Sequence, residues 1–220
     1  QTPASFKKRF NIDVRVNSEV LSINPKERTL FIKDLQSGKT YTESYDKLIL
    51  SPGAKAIKPA LPGIDSDKIF TLRTVEDTFR IRECIERQKP SSAVVVGGGF
   101  IGLEMAENLI QEQIHTTLLQ RSSQVMPPLD YDMACQLHAY LRSQGLDLRL
   151  NSPIASYEEM ADGIKIHLKD GTALETDMVL LAIGVSPDTQ LAKEAGLTLG
   201  AKDAIVVDEH LQTSDKDIYA

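Results

Sequence analysis

Residues 93–102 read Ala-Val-Val-Val-Gly-Gly-Gly-Phe-Ile-Gly, and this stretch carries the strongest structural signal in the chain. The apolar run before the glycines is typical of a strand buried on both faces of a parallel sheet. After the glycines, Ile101, Met105 and Leu109 recur at the spacing of one helical face. A GxGxxG sequence between such a strand and such a helix indicates a dinucleotide-binding βαβ unit. The alternative is a glycine-rich turn with no ligand.

The three spaced glycines have separate tasks in such a unit. Gly97 permits a tight turn, Gly99 lets the backbone approach a pyrophosphate, and Gly102 lets the helix pack closely on the strand. The first helical turn then presents free N–H groups to the phosphates. The candidate cofactor-binding residues of this turn are Gly97, Gly98, Gly99, Phe100, Ile101 and Gly102.

The second strand, residues 116–119, is followed by Gln120 and Arg121. A site for NAD usually has an acidic residue here, which binds the ribose 2′-OH. Gln120 is neutral and would not repel a 2′-phosphate, and Arg121 could bind that phosphate with paired N–H groups. The pair therefore favours NADPH over NADH. A solvated surface arginine is the alternative interpretation of Arg121.

Two further residues stand where a cofactor would contact the fold. Glu104 lies on the first helical turn, although a carboxylate there also stabilises the helix dipole without any chemistry. Gly184 follows the apolar strand 178–183, at the sheet edge where ligands bind, although it could be a plain turn glycine.

Composition excludes several classes of function. The formal net charge of −6 and the pI near 5.3 disfavour a nucleic-acid partner. No apolar run reaches the roughly 20 residues of a membrane helix. The histidines are scattered without metal-ligand spacing, so we expect no metal site. Cys84 and Cys135 form no CxxC pair, and two lone cysteines fit a reducing cytoplasm.

The rest of the chain indicates the α/β class. We expect a small antiparallel meander over residues 12–51, a linker over 55–72, helices from 74, over 130–143 and over 189–195, a strand over 146–150, and a strand over 205–207. Residues 154–183 return to β structure, with hairpin signals at Asp162-Gly163 and Asp170-Gly171. Two βαβ-like halves and an inserted meander account for this pattern.

Several segments together resemble the pyridine nucleotide–disulfide oxidoreductase superfamily. The likeness is strongest to its branch of coenzyme A-disulfide reductases, NADH oxidases and NADH-dependent persulfide reductases. The segments that carry it are residues 94–109, 2–6, 11–15, 45–54, 61–64, 124–128, 182–187, 212–214 and 218–220. They span essentially the whole chain and are more specific together than the glycine turn alone.

The resemblance implies a Rossmann-like NAD(P)-binding domain, with a parallel sheet plus a β-meander, preceded by part of an FAD-binding domain with an antiparallel meander. The implied reaction passes a hydride from NADPH or NADH to FAD, and then electrons to a disulfide, a persulfide or oxygen. Phe100 would stack near the flavin, Glu104 would lie close to the nicotinamide, and Gly184 would let that ring lie flat. Ser51 and Gly53 match the second FAD-contacting segment.

The resemblance also indicates a middle portion of a longer enzyme. The family's first GxGxxG and its redox-active cysteine would lie before Gln1, so we expect no catalytic residue in this chain. The expected domains are 1–70 (second half of the FAD-binding domain), 71–203 (NAD(P)-binding) and 204–220 (start of the return to the FAD domain). The full-length protein would be a homodimer that acts on a small-molecule disulfide or persulfide, with no nucleic-acid or membrane partner.

Two other classes of function stay open. One is a dehydrogenase that passes hydride straight to its substrate, although the sequence lacks a Tyr-x-x-x-Lys pattern. The other is an NAD(P)-binding regulatory or interaction module without redox turnover. A flavin spectrum of the full-length protein would separate both from a flavoprotein reductase.

Overall fold

The structure is a computed structural model that describes residues 2–220. Its helices are α1 (Pro3–Phe10), α2 (Val75–Gln88), α3 (Phe100–Gln111), α4 (Tyr131–Ser143) and α5 (Gln190–Glu194), with a 3₁₀ turn at Ala201–Asp203. Its strands are β1 (Ser18–Asn24), β2 (Thr29–Asp34), β3 (Thr40–Ser44), β4 (Leu48–Ile49), β5 (Ala54–Ala56), β6 (Ile69–Thr71), β7 (Ser92–Val96), β8 (His115–Leu119), β9 (Asp147–Arg149), β10 (Ile154–Met160), β11 (Gly163–Leu168), β12 (Ala173–Thr176), β13 (Met178–Leu181), β14 (Val185–Pro187) and β15 (Ile218–Tyr219).

The described chain divides into two compact units. The central unit is Lys55–Val185, and the split unit combines the described residues up to Ala54 with Ser186–Ala220. A parallel sheet with the strand order β6-β13-β7-β8-β9 lies in the middle of the central unit. The chain leaves β7 for β8 on one side and adds β13 on the other side only later, so the strand order reverses at β7. Ligands of open α/β sheets bind outside the carboxyl ends of the strands at such a point.

Side chains of the parallel sheet alternate between two cores, because a strand turns successive residues to opposite faces. Val95 and Leu118 pack with Leu109 in the core under α2, α3 and α4. Val94 packs on the other face with Ile164 of the antiparallel sheet β10-β11-β12. The central unit therefore has three layers, and both faces of its parallel sheet are covered, as the apolar runs of its strands predict.

Two helices confirm the start signals in the sequence. Thr74 caps α2: its hydroxyl accepts the N–H of Asp77 at 3.2 Å, and the Asp77 carboxylate accepts the N–H of Thr74 at 2.9 Å. This reciprocal capping box sets the first turn of the helix. Asp130 is the N-cap of α4, which agrees with the predicted helix over residues 130–143.

The split unit contains the predicted antiparallel meander, β1-β2-β3, and a parallel pair of β4 and β15. Its small core includes Ile23, Ala192 and Ile218. The buried Asp217 carboxylate accepts a hydrogen bond from Lys47 Nζ at 2.8 Å, which ties the start of β4 to the segment before β15. The meander begins at β1 rather than at residue 12.

The limits of the two units differ from the expected domain limits after residues 70 and 203. Ile64 and Ile69 are buried in the core that contains Val94, so the stretch expected to be a linker belongs to the central unit and supplies its edge strand β6. Ala192 and Leu197 are buried in the core of the split unit, so residues 186–203 belong there. The strand expected over 205–207 is wrong: in the described chain this stretch forms only the single bridge between Ile205 and Leu199.

Candidate nucleotide-binding site

A cavity of about 770 Å³ opens within the central unit, at the carboxyl ends of β7, β8 and β13. This is the edge at which the strand order reverses. The cavity brings together most of the residues that the sequence nominates for NAD(P), which are Gly97, Gly98, Gly99, Gln120, Arg121 and Gly184. The turns after three strands that are separate in sequence thus meet at one site.

The first and third glycines of the turn are required by the packing of the protein itself. Gly97 has φ 107°, in the region that favours glycine, and a Cβ there would lie 2.5 Å from the carbonyl oxygen of Ala182. A Cβ on Gly102 would lie 1.9 Å from the carbonyl oxygen of Gly97. These contacts hold α3 tightly against the end of β7, as the sequence predicts.

Gly99 has no such packing reason to be glycine. Its φ is −88°, which any residue adopts, and no atom lies within 4 Å of the position its Cβ would take. It is the N-cap residue of α3, and no side chain caps that helix. Open space before an uncapped helix N-terminus suits a group that accepts hydrogen bonds from backbone N–H groups, such as a phosphate.

Gln120 is bonded into the wall of the cavity. Its Oε1 accepts the N–H of Gly98 at 3.1 Å, and its Nε2 donates to the carbonyl oxygen of Gln124 at 2.9 Å and to the hydroxyl of Ser122 at 2.7 Å. A glutamate could accept from Gly98 but could not donate to Gln124. The neutral amide therefore joins the glycine turn to the loop after β8.

His138 also holds the loop after β8 in place. Its Nε2 accepts the N–H of Val125 at 3.2 Å, and the N–H of Met126 donates to the carbonyl oxygen of Gly98 at 2.7 Å. Burial, and then the charge of Arg142, lower the pKa of the imidazole. His138 is therefore neutral near pH 7, with Nε2 available as an acceptor.

Two charged residues line the cavity, and both are basic. Arg121 and Lys169 are exposed, and within residues 2–220 neither side chain makes a hydrogen bond or an ion pair. No aspartate or glutamate of the described chain lines the cavity, although the protein carries a net charge of −6. The cavity thus favours an anionic ligand. Lys169 was not predicted from the sequence, although it lies beside the predicted Asp170-Gly171 hairpin turn.

The opposite wall is largely apolar and was also missed from sequence. Ile57, Leu61 and Ile154 line it, together with the ring of Tyr157. Burial raises the pKa of the Tyr157 phenol to about 12, so it stays neutral at physiological pH. The pairing of β10 with β11 positions Ile154 and Tyr157 in this wall, and that register is a long-range feature that local patterns do not reveal.

Three nominated residues of α3 lie away from this cavity. Phe100, with 68% of its surface exposed, and Glu104 line a second cavity of about 400 Å³ between α3 and α4. Ile101 is exposed and lines neither cavity. Within the central unit, the side chains of these three residues therefore do not line the cavity at the carboxyl ends of the strands.

The remaining nominated residues are turn positions. Gly184 has φ 112° and lines the large cavity just after β13. Ser51 and Gly53 are exposed residues of the split unit between β4 and β5, and Gly53 has φ 74°. The carbonyl oxygen of Gly53 accepts the N–H of Asp188 at 3.0 Å.

Among residues 2–220, no three His, Cys, Asp or Glu side chains are grouped so that they could hold a metal ion. In the same part of the chain, no helix is both long enough and apolar enough to cross a membrane. Cys84 is buried and Cys135 is exposed, and both are free thiols.

Known proteins resemble both the sequence and the fold. The family model for pyridine nucleotide-disulphide oxidoreductases matches residues 3–220. The coenzyme A disulfide reductase of Staphylococcus haemolyticus is 36% identical over 222 residues, which cover 100% of this chain and 48% of that protein. The chain thus spans about half the length of the curated relatives it matches.

Solved structures are also similar to this chain. Reduced CoADR-RHD from Bacillus anthracis matches with a TM-score of 0.96 and 48% identity, over 100% of this chain and 39% of that one. The water-forming NADH oxidase of Lactobacillus brevis, solved with NADH, matches with a TM-score of 0.91 and 30% identity, over 100% of this chain and 48% of that one. Its engineered NADPH-oxidase variant, solved with NADPH, gives the same values.

Proposed function

The chain belongs to the pyridine nucleotide-disulphide oxidoreductase family, and from this premise we propose that its central unit binds NADPH or NADH within an FAD-dependent reductase. The observation that carries the proposal is Gly99. Because glycine has no side chain, it leaves open space at the N-terminus of α3, which no side chain caps. The packing of the protein does not explain why this residue is glycine. A pyrophosphate in that space explains it, because the group needs close approach to backbone N–H groups.

The two ends of the cofactor fit the two ends of the cavity. Gly184, after β13, is proposed to let the nicotinamide lie flat against the backbone. Arg121, after β8, is proposed to bind the ribose 2′-phosphate of NADPH, since its guanidinium is unpaired and no acidic side chain of the described residues lines the cavity. Gln120 keeps the loop in place without adding a negative charge. These features support a preference for NADPH.

The chemistry that NAD(P)H supplies when bound is the donation of a hydride. Phe100 is proposed to cover the flavin and to swing aside when the nicotinamide enters, which its 68% exposure at the start of α3 would permit. Glu104 is proposed to lie near the nicotinamide, as the family resemblance implies. Ser51 and Gly53 are proposed to contact FAD on the same ground.

The activity proposed for the whole enzyme is reduction of a small-molecule disulfide or persulfide, with oxygen as the other acceptor. Named relatives support this range, because they include a coenzyme A disulfide reductase and a water-forming NADH oxidase. We propose a homodimer without nucleic-acid or membrane partners. The free thiols of Cys84 and Cys135 support a reducing compartment such as the cytoplasm.

The cofactor proposal is tested by titrating the purified protein with NADPH and, separately, with NADH, followed by calorimetry. We expect saturable binding of both, with NADPH tighter. Arg121→Ala should weaken NADPH binding and leave NADH binding nearly unchanged. Arg87→Ala is the matched control, because Arg87 pairs with Glu83 on α2 and its loss changes the net charge equally. Failure of both nucleotides to bind would refute the site.

The reductase proposal needs a second measurement. Protein purified with bound flavin should oxidise NADPH when coenzyme A disulfide, polysulfide or oxygen is added, and the three rates would rank the acceptors. NAD(P)H binding without a flavin spectrum and without turnover would instead favour the regulatory module as the function.

A further inference from the structure

We propose that Lys169 is a specificity-determining residue for NADPH, and that it binds the ribose 2′-phosphate together with Arg121. This inference rests on the proposed NAD(P)H site, and it adds a second cation, from a different layer of the fold, to that site. It predicts that the hairpin between β11 and β12 helps to choose between the two nucleotides.

Backbone hydrogen bonds place Lys169 near Arg121. Residues 120–122 lie beside residues 151–153: the N–H of Ser152 donates to the carbonyl oxygen of Gln120, and the N–H of Asn151 donates to that of Ser122, both at 3.0 Å. The same segment also bonds the hairpin after β11, because the N–H of Lys169 donates to the carbonyl oxygen of Pro153 at 2.9 Å. Three adjacent segments thus run along this edge of the cavity.

The side chains of Arg121 and Lys169 are placed to reach one phosphate group. The segments that carry these two residues are both hydrogen-bonded to residues 151–153, so a single intervening segment separates their backbones. Both residues line the same cavity, and both have long side chains that can converge from that separation. A 2′-phosphate carries enough negative charge and enough acceptor oxygens for two cations.

The ammonium group of Lys169 is also free for a ligand, unlike those of two other lysines of the central unit. Lys165, on β11, pairs with Glu175 at 3.4 Å. Lys68 donates to the carbonyl oxygens of Met160 and Gly163, each at 2.9 Å. Within residues 2–220, Lys169 has no such partner. Within the described residues, no ion pair or hydrogen bond therefore accounts for the positive charge of Lys169 at the rim of the cavity.

The position of Lys169 favours the 2′-phosphate over the pyrophosphate. The pyrophosphate is proposed to lie at Gly99, after β7, whereas Lys169 flanks the segments that follow β8 and β9. The acidic residue that binds the ribose 2′-OH in NAD sites stands at the end of the second strand, which is β8 here. Lys169 should therefore contact the part of the cofactor that distinguishes NADPH from NADH.

The test compares the dissociation constants of NADPH and NADH for the wild-type protein, Lys169→Ala, Lys169→Arg and Lys165→Ala. Loss of one charge-assisted phosphate contact should weaken NADPH binding about tenfold in Lys169→Ala. Binding of NADH should change less than about twofold, because that nucleotide lacks the phosphate. Lys169→Arg should restore most of the affinity, and Lys165→Ala, with the same change in net charge, should bind like wild type. Adenosine 2′,5′-bisphosphate and AMP, used as competitors, should show the same contrast.

Each other outcome counts against the proposal. Equal weakening of NADPH and NADH in Lys169→Ala would mean that the lysine contacts a shared part of the cofactor. Unchanged binding of both would mean that it contacts none, while the NAD(P)H site itself would stand. Failure of the wild-type protein to bind either nucleotide would overturn the proposed function, and this inference with it.

Discussion

Replacing Gly102 with alanine should destabilise the central unit, whereas the same replacement at Gly99 should spare its stability and weaken dinucleotide binding at least about tenfold. The Cβ added at Gly102 would lie 1.9 Å from the carbonyl oxygen of Gly97, against an ordinary contact of at least 3.4 Å. Helix and turn would have to separate by about 1.5 Å, and forced overpacking of this kind costs about 1–3 kcal/mol. The better helix propensity of alanine offsets less than about 1 kcal/mol of that cost. We expect a net loss of about 2 kcal/mol in the free energy of unfolding.

Gly99→Ala is the matched comparison, because it adds the same methyl group three residues away. No atom lies within 4 Å of the new Cβ, and the φ of −88° is ordinary. The change should cost under about 1 kcal/mol, since alanine is only a poorer N-cap than glycine. The methyl group would occupy the space assigned to the pyrophosphate, so we expect NADPH affinity to fall at least about tenfold.

Urea unfolding followed by far-UV circular dichroism measures the stability of both variants, and calorimetric titration measures their binding. We expect the two variants to differ in both measurements. Gly99→Ala should have nearly wild-type stability and weakened NADPH binding, whereas Gly102→Ala should have a lowered free energy of unfolding. Wild-type affinity in Gly99→Ala would refute the assignment of the open space to a ligand. Wild-type stability in Gly102→Ala would refute the close packing of α3 on the end of β7.

Three further predictions follow from the same unit. Gln120→Glu should weaken NADPH binding about tenfold and spare NADH, because a carboxylate repels the 2′-phosphate and cannot donate to Gln124; titration with both nucleotides measures this. The folded-state pKa of His138 is depressed, so stability is full above the unfolded value of about 6.5 and falls as pH drops below it; urea midpoints at pH 7.5 and 5.5 should show the loss, and His138→Gln should reduce it. Burial opposes ionisation of Asp177, but hydrogen bonds from Ser91 and Ser92 outweigh it and lower its pKa; Asp177→Ala should therefore cost about 2 kcal/mol in urea unfolding at pH 7.

Local sequence predicts the parts of the site that depend on local physics. The glycine turn, the buried β7 strand and the N-cap of α2 at Thr74 each follow from neighbours within a few residues, and the structure contains all three. The roles of Gly97 and Gly102 were predictable for the same reason, because helix, turn and strand are consecutive. The position of Gly184 at the cavity was predictable because apolar strands of parallel sheets end at a common edge.

Other parts of the site depend on pairing between distant segments, and the sequence does not reveal them. Lys169 reaches the cavity only because β11 pairs with β10 and residue 153 accepts its N–H. Gln120 was interpreted through its charge alone, whereas its amide also bonds Gly98 and Gln124. The linker expected over residues 55–72 was wrong because two prolines and Gly63 suggested irregular structure, whereas Ile64 is buried and β6 is an edge strand of the sheet.

The antiparallel sheet of the central unit contributes to both the core and the candidate site, through different residues. Along β11, Ile164 and Ile166 are fully buried against the parallel sheet, so the strand cannot shift without exposing that core. Lys169 follows this strand directly, and its position at the cavity is therefore held by the packing of those two isoleucines. Its own side chain contributes nothing to that packing, so the residue at 169 can change at little cost in stability. In the proposed site, the residue that selects between the two nucleotides can therefore be changed without loss of fold stability.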